Sequence, residues 1–103
     1  MKTNEIVNAK ARALVHYLVV CQESTKYKNL VLSDLCIKIL CGIINEEHPK
    51  YGMAYQEVHE NCKKLLRILG SSGIMSRFPE LAKHTQSLSI AIAMEEDQLL
   101  EAV

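Results

Sequence analysis

The stretch from Leu30 to Ile44 is apolar almost all the way round a helix. It leaves a thin polar line of Asp34, Lys38, Gly42 and Asn45, spaced 4, 4 and 3 apart and so stacked on one edge. Leu30, Val31, Leu32, Leu35, Cys36, Ile37, Ile39, Leu40, Cys41, Ile43 and Ile44 cover the rest. A surface helix of a small bundle normally hides a single stripe. This one asks for cover on nearly every side, from its own chain or from a second copy. A helix of this kind points to an all-α fold, in which it is the most buried element.

The other segments agree. Helical periodicity starts at Thr3 or Asn4 and runs to Gln22, with Val7, Ala11, Leu14, Leu18 and Cys21 on one face, flanked by Val15 and Val19. Lys10 and Arg12 mark its wet side, and residues 23–28 read as a loop. The second helix begins at Asn29 or at Ser33-Asp34, all plausible caps, and ends near Glu46, where His48-Pro49 and Gly52 break the pattern. In a third helix Tyr55, Val58, Cys62, Leu65, Leu66 and Leu69 form one face, and Glu57, Glu60, Lys63, Lys64 and Arg67 form the other. Gly70 suits the left-handed position that ends it. A fourth helix opens at Pro79-Glu80, with Leu81, Leu88, Ile92 and Leu99 on a face and Ser76 as a cap for a turn upstream. Leu88 to Met94 also alternates like a strand, but alanine is a poor strand former and no partner strand is evident. The sum is one domain, residues 1–103, folded as a compact four-helix bundle.

Composition narrows the function. Hydrophobic residues make up 49% of the chain, enough for a core, while aromatics are only 5%. Twelve basic residues balance twelve acidic ones, and this neutrality argues against nucleic acid as the main partner. The polar N-terminus lacks a signal-peptide core, and the longest apolar run falls short of the ~20 residues of a membrane helix. These features predict a cytoplasmic protein away from the membrane. Cys21, Cys36, Cys41 and Cys62 sit in apolar patterns without CxxC spacing, as free interior thiols do.

Candidate chemistry is sparse. His59 and Cys62, three apart on one helix, have the spacing of two zinc ligands, but no second pair completes a site, so neither metal nor cofactor is expected. Cysteine catalysis would need an exposed thiolate beside His16 or His59, and the thiols lie on apolar faces. Gly70-Ser71-Ser72-Gly73 is a connector, since no Lys follows it as in a phosphate loop. Arg77 and His84 are separated by six residues. This spacing resembles the Arg–His motif of HEPN ribonucleases, which are small all-helical dimers. The resemblance implies an Arg that steadies a phosphate and a His that moves a proton. It covers eight residues, with Phe78 where a polar residue usually follows the Arg and Pro79 inside the interval.

A binding role fits better. Glu46, Glu47 and His48 in the turn, with Tyr51 and Tyr55 at the start of the third helix, combine carboxylates with amphipathic rings. They form the expected partner-binding patch, although both tyrosines also fit as core. The acidic stretch Glu95, Glu96, Asp97 and Glu101 opposes its helix dipole, which makes it a second candidate contact for a basic partner. The expectation is a non-catalytic interaction protein, a homodimer or higher oligomer that binds another protein. Bacteriocin or toxin immunity proteins and phage accessory proteins offer an analogy of size and helicity. The alternative is a homo-oligomeric binder of a nucleotide or other small ligand, with Lys26, Lys28, Lys63, Lys64 and Arg67 as anion contacts.

Overall fold

The computed structural model describes residues 3–25, 29–51 and 57–101. The described chain is an all-α bundle. Its helices are α1 (Thr3–Thr25), α2 (Leu30–Glu47), α3 (Val58–Ser72), α4 (Ile74–Arg77) and α5 (Pro79–Glu101), with a 3-10 turn at Pro49–Tyr51. The alternating segment 88–94 is helical throughout. α1 packs chiefly on α5 and α2 chiefly on α3, with α1 also against α2.

Local chemistry sets the boundaries. Asn29 is extended, and its side chain accepts from the N–H groups of Val31 and Leu32. This satisfies two of the donors that a helix start leaves open. The cap is thus Asn29 rather than Ser33-Asp34. Buried Gln22 of α1 reinforces it, its Oε1 accepting from Asn29 N and Ser33 Oγ, each at 3.4 Å. α1 itself runs on to Thr25, three residues past the expected end.

At the far end of α3, Gly73 takes the left-handed cap with φ 75°. Gly70, the expected cap, lies inside the helix. The helix runs three residues further, and Ser71 and Ser72 each turn a hydroxyl back to donate to the carbonyl three residues earlier. Ser76 does not cap α4; its hydroxyl donates to Gly73 O at 2.7 Å. α4 ends at Phe78, whose backbone is no longer helical, and Pro79 opens α5, where a missing N–H costs nothing.

One core joins the helices. α1 supplies Val7, Ala11, Leu14, Val15 and Leu18; α2 supplies Leu32, Leu35, Cys36, Ile39 and Ile43. α3 adds Val58, Cys62, Leu65 and Leu69, and α5 adds Leu81, Leu88, Ala91 and Ile92. Gly42, read as part of a polar line, is buried among α2's core residues. The chain covers one face of α2 and leaves Leu30, Val31 and Ile37 exposed on the others.

Candidate functional site

The cross-helix ion pairs gather at one end of the bundle, where α1 and α3 begin and α2 and α5 finish. Arg12 of α1 donates through one guanidinium nitrogen to both carboxylate oxygens of Glu47, at 2.8 and 2.9 Å. Asn8, buried one turn earlier, donates to Glu46 at 2.9 Å. The last turn of α2 carries two carboxylates and no basic residue, which opposes its dipole. Neighbouring donors on α1 offset that.

The same pattern recurs between α3 and α5. Glu95 and Glu96 turn towards the first turns of α3. His59 lies between them, with Nδ1 3.7 Å from Glu95 and Nε2 3.2 Å from Glu96. Lys63 also pairs with Glu96. The Lys63 and His59 hydrogen bonds hold the Glu96 carboxyl below the usual carboxylate range, and the Glu96 bond raises the Lys63 ammonium. One oxygen of Glu95 is buried and accepts no hydrogen bond from the described residues. Between the clusters sits Cys62, fully buried, its thiol pushed up to about 12 by burial and by the charges of Glu46 and Glu95.

Of the expected binding patch, Glu46, Glu47 and His48 are exposed at the end of α2. The first two also tie α2 to α1, while the His48 N–H closes the helix on Ile44 O at 2.7 Å. Only the backbone of Tyr51 is described, in the 3-10 turn, and Tyr55 lies outside the described residues. Within the acidic stretch of α5, Glu95 and Glu96 are held by α3 rather than presented free to a partner. No sequence pattern pairs residues 59 and 63 with 95 and 96, because the match depends on how α3 and α5 cross. Spacing along one chain cannot show it.

The other candidates are dispersed. His59 faces α5 carboxylates, while Cys62 points into the core. Among the described residues no group of His, Cys, Asp or Glu is placed to hold a metal ion. Arg77 belongs to α4 and His84 to α5, with the non-helical Phe78 between those helices. His84 packs its ring 5.0 Å from that of Tyr17. Lys26 and Lys28 lie outside the described residues. Lys64 and Arg67 do come together, with Lys38, in a groove of about 310 Å³ between α2 and α3.

No helix among the described residues is long and apolar enough to cross a membrane. No family model, curated protein or solved structure matches the chain.

Proposed function

We propose that the protein is a non-catalytic interaction protein, a small cytoplasmic regulator, inhibitor or immunity-type protein that binds another protein and works as a homodimer or higher oligomer. The observation that carries this reading is surface apolarity. Leu30 is 84% exposed, Val31 58% and Ile37 62%, all on α2. Scattered exposed aliphatics are ordinary, but several large ones on a single helix of a small domain favour an interaction surface. The charged groups favour it too, since the described ion pairs either tie α1 to α2 and α3 to α5 or run along one helix, and are not gathered in an enclosed cleft.

The proposed partner-binding patch is Glu46, Glu47 and His48 at the end of α2, with Tyr51 and Tyr55 following in the sequence. Pro49 narrows the backbone freedom there, which preorganises the surface. Pull-down from the native host with mass spectrometry, run beside Glu46→Lys and Tyr51→Ala, tests the reading. A partner held by the wild type and released by both variants, at equal helicity, supports it. Equal recovery by all three proteins overturns the patch.

A second reading has one observation behind it. Lys38, Lys64 and Arg67 line one groove with Asp34, which pairs with Lys38, and the excess of cations suits an anion such as a nucleotide phosphate. A thermal-shift panel of nucleotides separates the two, since only the ligand-binding reading expects a shift.

A further inference from the structure

We infer that the outer face of α2 is a self-complementary seam that binds the same face of a second copy in antiparallel register. This rests on the oligomeric reading above and fixes its geometry. The core-facing residues of α2 are Leu32, Leu35, Cys36, Ile39, Gly42 and Ile43. Opposite them lie Leu30, Asp34, Ile37, Cys41 and Ile44, at intervals of 4, 3, 4 and 3. That alternation keeps a row of side chains facing a partner helix, as in a coiled-coil seam. It breaks the ordinary pattern of a bundle helix, whose outer face is polar. Four of the row's five positions are apolar, and the charged one has its opposite charge one turn on.

Charge decides what occupies the seam. Asp34 and Lys38 are both solvent-accessible and pair along the helix at 2.9 Å. A two-fold axis across α2 near Ile37 brings Asp34 of each copy towards Lys38 of the other. The intrahelical pair then becomes a ring of four alternating charges. Ile37 meets its own copy at the axis, and Leu30 comes opposite Ile44 and Cys41. A parallel arrangement sets Asp34 against Asp34 and Lys38 against Lys38, which is repulsive. An isologous contact has to be self-complementary under its two-fold axis, and this row meets that condition in both apolarity and charge.

The surroundings extend the contact. Val19 of α1 lines a groove with Leu30 and Ser33, and a second groove with Val15, His16 and Leu40. On the other side Val31 borders the groove against α3. Of the seven exposed large hydrophobics among the described residues, Val19, Leu30, Val31 and Ile37 thus lie on or beside this face. A single helix row is short of the ~800 Å² per partner of a standard interface, so the seam requires the flanking grooves to be covered as well.

Sedimentation analysis on the full chain, with circular dichroism as the folding control, tests the seam. The wild type is expected to be dimeric at tens of micromolar. Ile37→Glu is expected to sediment as a monomer with full helicity, because Ile37 is exposed within a single copy. Asp34→Lys and Lys38→Asp are each expected to weaken association by at least about tenfold, and the double reversal to recover it. In a Cys41→Ser background, a mixture of Leu30→Cys and Ile44→Cys proteins cross-links on oxidation if the helices are antiparallel. A monomeric wild type overturns both the seam and the oligomeric reading. An oligomer indifferent to Ile37→Glu, or to the charge series, overturns the seam and leaves oligomerisation by another surface standing.

Discussion

At the residue scale, environment separates side chains that look alike in the sequence. The four cysteines all lie in apolar patterns, yet burial pushes the Cys36 thiol up to about 11 and that of Cys62 up to about 12. Cys41 is only half-buried. Buried thiols are shielded from reagents, so the half-buried Cys41 is expected to be labelled first in monomeric Ile37→Glu protein at pH 8, where no second copy covers it. Peptide mapping after brief labelling checks this, and equal labelling of Cys62 would refute it. The Glu96 cluster gives a pH expectation. Its carboxyl is depressed in the folded chain, foremost by Lys63 and then by His59. A depressed carboxyl stabilises above its unfolded pKa, and the contribution fades as pH falls through the folded value. Lys63 is raised, so its contribution holds below its unfolded value and fades as alkaline pH passes the folded one. Glu96→Gln is therefore expected to melt below the wild type near neutrality and to converge with it in acid, in melting curves taken across pH. Both groups are partly exposed, so the neutral-pH gap is small.

At the element scale, the caps show what was legible and what was not. Asn29 could be named from sequence because cap chemistry is local. Its rival Ser33-Asp34 could not be dismissed, since only the folded chain places Gln22 beside Asn29. Asn29→Ala is expected to cost about 0.5–2 kcal/mol in chemical denaturation, and Asn29→Asp much less. The end of α3 was misplaced for a related reason. Gly70 and Gly73 bracket two serines, and either glycine can adopt a left-handed conformation. The choice fell to the later one because packing continues past Gly70, with Ile74 buried just beyond Gly73. The two glycines should therefore respond with opposite signs. A Cβ at Gly70 meets nothing within 4 Å on a helical backbone, so Gly70→Ala is expected to stabilise by up to about 1 kcal/mol. A Cβ at Gly73 also meets open space, but at φ 75° the backbone is strained for alanine. Gly73→Ala is expected to destabilise by about 1–2 kcal/mol. Stabilities of the two variants with the same sign would contradict this account of the α3 end.

At the scale of the molecule, the all-α bundle was readable because helical period and apolar spacing are properties of each segment alone. Much of the core faces of α1, α3 and α5 emerged from that spacing, although Val19 is exposed, Leu66 is only partly buried, Ala91 joins the core of α5, and Tyr55 and the side chain of Leu99 lie outside the described residues. The polar end was legible only in part. Glu46 and Glu47 were marked as exposed acids, but their partners Asn8 and Arg12 lie more than thirty positions away. The Arg12–Glu47 pair changes how the binding patch must be probed. Glu47→Lys would place two cations together and is expected to lower stability by up to about 1 kcal/mol. A binding defect in that variant would mix two causes, and Glu46→Lys shares part of the difficulty through Asn8, so equal helicity has to be checked first. The unusual breadth of α2's apolar surface was visible from the start, and the chain alone covers only one side of it. If a second copy covers the other, folding and association are linked, and dilution must lower the melting temperature. A hundredfold change in concentration corresponds to a shift on the order of 1 kcal/mol per protomer, or about 4–8 °C for a domain of this size. Ile37→Glu removes the seam without touching the core, so its melting temperature is expected to be independent of concentration and to match the dilute limit of the wild type. Calorimetry at a few micromolar and at several hundred micromolar distinguishes the cases: a wild-type melting temperature that does not move with concentration means that α2 keeps its exposed row of leucine, valine and isoleucine in water.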